Sequence, residues 1–361
     1  MEKLMVRGSE VQSFLRCRKR WEYEYLEGLQ PKEVNHKLFF GNLIHKFIEV
    51  LYGTGNAENA KTAMFQFFNE NYTTTEGLLE LYDLASKIAD RYTHKYITDL
   101  ENYTTIATEL QFRIPLDENM YYTGTIDWVF LDEDGRLCFA DHKTTKSLDK
   151  YEKGVEMDRQ ISRYYWALQQ LCEGNGEMRY EAIDKWVHIT DTCIWEKYLQ
   201  GKQPERFMYN IILKDVPEEP KMLKNSTLSK DKRQRTTYDL YLKKLEELGL
   251  VQEAEEDGFI VPEEYHEILE HLKARGDEYF KRVWVTRLQD EIDAAMQEFY
   301  MVALDTVNVA GLVPKMPVIS YRNINHDCSW DCAYRSLCIA EMDGSNASVI
   351  RSLGFEKKED K

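Results

Sequence analysis

Three side chains equipped for chemistry, Asp127, Asp141 and Lys143, crowd into the stretch GTIDWVFLDEDGRLCFADHKTTK, residues 124–146. The stretch reads as two strands, Thr125–Leu131 and Leu137–Lys143, joined by the turn-forming Asp132-Glu133-Asp134-Gly135. Strand side chains repeat every second residue, so Asp141 and Lys143 project from one face. A hairpin closed around Asp134 sets Asp127 opposite Asp141 or one residue out of register. Two carboxylates and an ammonium converging on one patch suit a divalent cation and an activated water. Three charges at strand ends equally suit plain solvation, so the hairpin takes its meaning from the rest of the chain.

The elements around it can be read in order. Ser9 is placed to cap a first helix, SEVQSFLRCRKRWEYEYLEGL, in which Val11, Phe14, Leu15 and Trp21 recur at roughly helical spacing. That helix carries Cys17 and the basic cluster Arg16, Arg18, Lys19 and Arg20. A second helix starts near Gly41, runs through Ile44, Phe47, Ile48 and Leu51, and carries His45. Helical sequence continues over 60–96, and Ile106–Ile114 then alternates like a strand, with Glu109 in it. An amphipathic helix over Asp158–Leu171 sets Gln160 and Tyr164 one turn apart on a shared face. Strands are expected at 182–189 and 207–214.

Residues 215–237 read as a loop, the most basic stretch of the chain, with Lys221, Lys224, Lys230, Lys232, Arg233 and Arg235. Such a run is either a solvated loop or a contact to backbone phosphates. Helices are expected over 237–250 and 263–275, separated by Gly249 and the acidic EAEEDG, and a long helix over 278–306. The tail FEKKEDK is expected to fray.

A length of 361 residues buries a large core as one elaborated domain or two. The net charge of −16 argues against a general coat for polyanions, although a local basic face can work within an acidic whole. No apolar run reaches the length of a membrane span, and MEKLMVRGSEVQ lacks the core of a signal peptide, so a cytoplasmic protein is expected. Seven cysteines then read as metal ligands or buried thiols before disulfides. Cys138, Cys172 and Cys193 are isolated and suit core packing, whereas Cys328, Cys332 and Cys338 crowd together and Cys17 stands far upstream. Four thiolates suit zinc or a 4Fe–4S cluster, and spacing alone favours zinc.

In order along the chain, these pieces resemble the RecB-like branch of the PD-(D/E)XK nucleases, in particular the iron–sulfur exonucleases of phages, CRISPR systems and AddB-type recombination subunits. The likeness rests on SEVQSFLRCRKRWEYEYLEGL with Cys17, GNLIH with His45, GTIDWVF with Asp127, FADHKTT with Asp141 and Lys143, QISRY with Gln160 and Tyr164, and the closing cysteines. It spans residues 9–338 and is loose from about 215 to 310. Ile126 stands where the family name has proline, and the last cysteines are spaced C-x3-C-x5-C where relatives often have C-x2-C-x5-C.

The resemblance implies an α/β fold with a mixed central sheet flanked by helices and a helical insertion. Its parts would be a helical region over 1–100, a nuclease core over 101–214, a basic loop and helical elaboration over 215–310 and a cysteine segment over 311–361. It implies a metal-dependent DNA exonuclease in recombination, repair or replication, in a bacterial or phage-infected cytoplasm. His45, Asp127 and Asp141 would hold Mg²⁺ or Mn²⁺, with Glu109 either a further partner or half of a structural salt bridge. Lys143 would orient the attacking water and stabilise developing charge, and Gln160 and Tyr164 would contact phosphate or orient a catalytic group. The resemblance also turns the four cysteines, Cys17, Cys328, Cys332 and Cys338, from zinc to a 4Fe–4S cluster clamping the chain ends together. DNA, as single strands or duplex ends, is the expected partner, with Trp21, tyrosines and the basic loop as stacking and phosphate contacts. The alternative is a non-catalytic or partner-dependent subunit of a helicase–nuclease or CRISPR adaptation complex. No G-x-x-x-x-G-K-[ST] motif is present, so any ATP-driven unwinding would come from a helicase partner.

Overall fold

A computed structural model describes residues 4–72, 76–180, 183–253 and 259–358. The acidic EAEEDG, beyond Glu253, lies outside the described residues. At the centre is an eight-stranded sheet of β1 (Leu4–Arg7), β2 (Thr104–Pro115), β3 (Met120–Leu131), β4 (Leu137–Thr145), β5 (Glu177–Tyr180), β6 (Ile183–His188), β7 (Pro204–Leu213) and β8 (Phe280–Val285). The order across it is β8-β7-β4-β3-β2-β5-β6, with β1 paired to β3. The β1–β3 and β4–β7 pairs are parallel and the others antiparallel, so the sheet is mixed.

Helices cover both faces. They are α1 (Gly8–Arg16), α2 (His36–Thr54), α3 (Ala57–Asn71), α4 (Leu78–Tyr96), α5 (Arg159–Cys172), α6 (Tyr238–Glu247), α7 (His266–Arg275), α8 (Gln289–Leu312), α9 (Arg335–Asp343) and α10 (Ala347–Gly354). The period of two along β4 divides its side chains between two cores. Phe139 joins Ile161, Leu168 and Phe299 of α5 and α8 on one face, while Cys138 and Ala140 join Phe47, Ile48 and Ile88 of α2 and α4 on the other. The fold is therefore the α/β arrangement expected. No helix among the described residues is long and apolar enough to cross a membrane.

Several elements depart from the expected pattern. Leu4–Arg7 is a sheet strand, so the N-terminal region is not purely helical. The first helix starts at Gly8 with Arg7 at its N-cap rather than Ser9, and it breaks at Cys17, whose φ of −166° is extended. The long helix begins at Gln289, because Phe280–Val285 pairs with β7 instead. Arg282, inside that strand, is partnered by Asp99 of a distant segment, a compensation no local pattern displays. Cys193 is exposed, whereas Cys138 and Cys172 are buried as expected. The tail does not fray at once: Phe355–Lys357 pairs with Leu29–Pro31. The segment between β7 and β8 contains α6 and α7 around a small core of its own, including Tyr241, Leu245, Ile268 and Leu272.

Candidate active site

The hairpin of β3 and β4 turns at Asp132–Gly135, where Asp132 Oδ1 accepts from the backbone N–H of Asp134 and Arg136 and Gly135 takes a φ of +74°. The ladder runs from Leu131↔Leu137 to Trp128↔Ala140, a register in which Asp127 is next opposite Asp141. There the strands part. β4 pairs onward with β7, through Asp141↔Tyr209 and Lys143↔Ile211, and Asp127 Oδ2 accepts from the His142 N–H across the fork at 2.7 Å. The same edge of β3 is taken up again by β1, through Arg7↔Thr123. Between these two pairings lies a notch, residues 124–127, that opens into a cleft of about 1290 Å³. Gly124 is required at this point, since a Cβ there would stand 2.8 Å from the Phe112 ring.

His45 reaches the notch from α2. That helix is capped by Asn35, whose side chain accepts from the N–H groups of Lys37 and Leu38, and it ends at Gly55 with a φ of +67°. Nε2 of His45 lies 2.8 Å from the backbone oxygen of His142. A carbonyl only accepts, so Nε2 carries a hydrogen, and whenever the ring is neutral its Nδ1 lone pair turns inward. Nδ1 stands 3.6 Å from Asp127 Oδ2 and 3.8 Å from Glu109 Oε1. A lone pair facing two carboxylates demands a cation between them, either a proton or a metal ion. One atom from each of His45, Glu109 and Asp127 lies within 4.8 Å of the other two, the reach of one small ion's ligands. Burial would pull the His45 imidazole down, but Asp127, Glu109 and Asp141 outweigh it and push the ring up to about 9. Glu109 is brought in by an uncommon backbone, with a φ of +47°. A non-glycine residue in that region costs about 1–3 kcal/mol and persists only where its surroundings impose it.

Asp141 and Lys143 share a face as their spacing requires, with Nζ 2.5 Å from Asp141 Oδ2. The other carboxylate oxygen, Oδ1, accepts from Gln160 Nε2 at 3.2 Å, and the same amide lies 3.0 Å from the Tyr164 hydroxyl. The Gln160–Tyr164 pair thus braces Asp141. Oδ2 is buried and faces the Lys143 ammonium. Burial pushes Asp141 up to about 6 against the opposing pull of Lys143. Burial likewise raises Asp127, against His45. Burial would lower Lys143, but Asp141 and Asp127 hold its ammonium above the usual lysine range. His142, whose side chain points to the opposite face, is held well below the usual range by burial and sits beside Asn210 at 2.9 Å.

The expected DNA contacts fare differently. None of Lys221, Lys224, Lys230, Lys232, Arg233 and Arg235 borders the cleft. Four are engaged by acids: Lys230 by Glu264, Lys232 by Glu267, Arg233 by Asp231 and Arg235 by Asp215. Trp21 is fully buried against Phe14, which removes it as a stacking surface. The cleft is instead bordered by cations that the sequence reading passed over, among them Lys146, Lys150, Lys214, Arg113 and Arg163. Arg113 lies 3.8 Å over the ring of Trp186, another bordering residue. Lys146 and Lys150 follow directly on β4 and Arg163 lies one turn from Gln160, so proximity to the motifs was the available signal.

At the far ends of the chain Cys17, Cys328, Cys332 and Cys338 border one small cavity of about 40 Å³. Cys17 Sγ is 3.5 Å from the Asn323 N–H, and Cys338 Sγ is 3.2 Å from Arg322 Nε. All seven cysteines are free thiols, and among the described residues no three of their sulfurs lie within 4.8 Å of one another. They are not drawn into a compact cluster.

Against known families, the profile of the PD-(D/E)XK nuclease superfamily matches residues 8–339. The chain belongs to the PD-(D/E)XK nuclease superfamily. No curated protein matches it. Members of this superfamily use divalent metals, and the His45–Glu109–Asp127 group of this chain has the spacing to hold one, beside the Asp141–Lys143 pair.

Proposed function

We propose that the protein is a metal-dependent deoxyribonuclease of RecB-like type, an exonuclease acting on single strands or duplex ends within the cytoplasm. The observation that carries this reading is the Nδ1 lone pair of His45 set between Glu109 and Asp127, beside the Asp141–Lys143 pair on a cleft floor. His45, Glu109 and Asp127 would hold Mn²⁺ or Mg²⁺, with Asp141, paired to Lys143, as the further ligand the resemblance implies. A cation held there supplies Lewis acidity toward a phosphoryl oxygen and makes water more acidic.

The side chains divide the remaining work. Lys143 stays protonated and presents positive charge and a donor where charge grows on phosphorus oxygens or an attacking water is held. Gln160 and Tyr164 fix Asp141 in one rotamer, and the His142 carbonyl fixes the His45 tautomer. The bordering lysines and arginines would draw the phosphate backbone into the cleft.

The four cysteines that border one cavity would hold a 4Fe–4S cluster, a choice over zinc that rests on the RecB-like resemblance. Its role would be to clamp the break at Cys17 to the C-terminal segment. Anaerobic purification followed by digestion of 5′- and 3′-labelled single- and double-stranded DNA tests both parts. Brown protein that degrades DNA with Mn²⁺ and is silent in EDTA is expected. Equal degradation in EDTA sinks the metal mechanism, and colourless protein with one zinc per chain sinks the cluster.

A further inference from the structure

One buried cation in the cleft has no role in the metal site. Arg163 is 6% exposed, and no carboxylate among the described residues pairs with it. Its Nε has no hydrogen-bond partner. The guanidinium lies 5.5 Å from the Phe299 ring and beside the Tyr122 hydroxyl, which it hydrogen-bonds. It also rests against the chain at Gly8, where a Cβ would stand 3.3 Å from Nη2. Arginine does not shed its proton inside proteins, so burial leaves a full positive charge that an anion must balance.

Gly8 is where α1 begins. The helix starts directly after β1, and its N-cap, Arg7, provides no side-chain acceptor for the first-turn N–H groups. Gly8 and Ser9 border the cleft, and Ser9 is exposed. Glu10, the acid of the first turn, accepts from the Trp21 indole N–H at 3.2 Å and from the backbone N–H of Arg7, so its carboxylate satisfies the N–H of the N-cap residue and leaves those of Gly8 and Ser9. The first turn of α1, at the positive end of the helix dipole, and the guanidinium of Arg163 therefore border the same space. That space adjoins the notch of β3, because β1 leaves the strand at Thr123, four residues before Asp127. Arg163 is also one turn of α5 beyond Gln160, which touches Asp141.

We propose that Arg163 and the first turn of α1 form a phosphate subsite that grips the substrate strand beside the phosphate to be cut. The subsite rests on the nucleic-acid reading of the cleft, and its phosphate is either a terminal monoester or an internal diester. A terminal phosphate would fix the end from which the enzyme works.

Binding, measured in EDTA so that no cleavage intervenes, tests it. A fluorescent single-stranded oligonucleotide is titrated over a range of salt concentrations against the full chain, Arg163→Gln and Ser9→Glu. Arg163→Gln should weaken binding about tenfold and flatten the plot of log affinity against log salt by about 0.7, one phosphate contact on a single strand. Ser9→Glu places a carboxylate in the anion position, so it should weaken binding similarly while leaving the melting temperature equal or higher. A merely structural site would not separate these two readouts. Should Arg163→Gln fail to fold, Ser9→Glu alone decides.

Oligonucleotides with a 5′-phosphate, a 5′-hydroxyl or a 3′-phosphate, and a circular strand, identify the source. A loss confined to one phosphorylated end assigns a terminal phosphate, and a loss on every substrate assigns an internal one. Folded variants that bind with wild-type affinity and slope overturn the subsite. If the wild type then still cuts DNA with Mn²⁺, the nuclease reading survives without it. If the variants lose the contact but the wild type never cuts, the subsite stands and the nuclease reading falls.

Discussion

The cleft and the insertion between β7 and β8 are both rich in cations, and they differ in how those cations are partnered. In the insertion Lys230 and Lys232 each meet a glutamate at 2.6 Å, and Arg233 meets Asp231 at 2.9 Å. In the cleft Lys146, Lys150, Lys214 and Arg163 have no acidic partner among the described residues. Lys214 is held below the usual lysine range by burial and then by Lys146 and Lys37, the mark of uncompensated positive charge. The acids of the cleft show the converse, with Glu109 and Asp127 crowded around one imidazole. Charge density along a sequence is thus a poor guide to a binding face. What counts is whether the fold supplies counter-charges, since paired surface ions contribute about 0–1 kcal/mol and cancel one another's field, while unpaired ones in a concavity focus it.

The most severe way to break this contrast is at Lys143, the cleft cation paired with Asp141. Lys143→Ala should lower the cleavage rate by about 10²–10³ while leaving folding and DNA binding near wild type. Single-turnover cleavage beside a binding titration checks it, and a wild-type rate would remove Lys143 from the chemistry.

A gentler test exchanges charge in the two regions. Lys146→Glu and Lys150→Glu should each weaken DNA binding about tenfold and reduce the salt slope by about 1, the mark of lost phosphate contacts. Lys230→Glu and Lys232→Glu, in the denser basic stretch, should stay within about twofold of wild type, since they remove charges already neutralised. If the insertion variants lose as much as the cleft variants, the pairing seen in the insertion does not silence it and the contrast fails.

Much of the site was legible because its signals are local. The period of two and the turn at Gly135 give the hairpin, and the i, i+4 spacing gives the brace from Gln160 and Tyr164 to Asp141. What escaped depends on residues distant in sequence. Four-residue β1 has too little length to declare itself, and β8 carries a charge at Arg282 that the distant Asp99, Tyr52 and Tyr96 make tolerable. Arg163 reads as an ordinary polar position of an amphipathic helix, and its burial follows from the approach of Gly8. The pairing of the basic loop escaped for the same reason, since Glu264 and Glu267 come much later in the chain and meet Lys230 and Lys232 only in the fold.

The mildest test uses pH and asks whether the cleft's crowded acids set its stability. His45 is raised from an ordinary 6.5 to about 9, so its contribution is complete below 6.5 and is lost as pH rises through about 9. Asp141, raised from 3.8 to about 6, has the same sign, because the folded state binds its proton more tightly and loses that advantage as pH rises through about 6. Chelated protein should therefore melt lower at about pH 9 than at about pH 5.5. Mg²⁺, taking the place of the missing proton between Glu109 and Asp127, should raise the melting temperature by a few degrees at the higher pH and by less at the lower, where the proton competes with it. Among the described residues the insertion holds no comparable group of acids around an imidazole, so it offers no such response. A gain from Mg²⁺ equal at both pH values would mean that proton and metal do not share the His45 site, and the cleft would lose the feature that sets it apart.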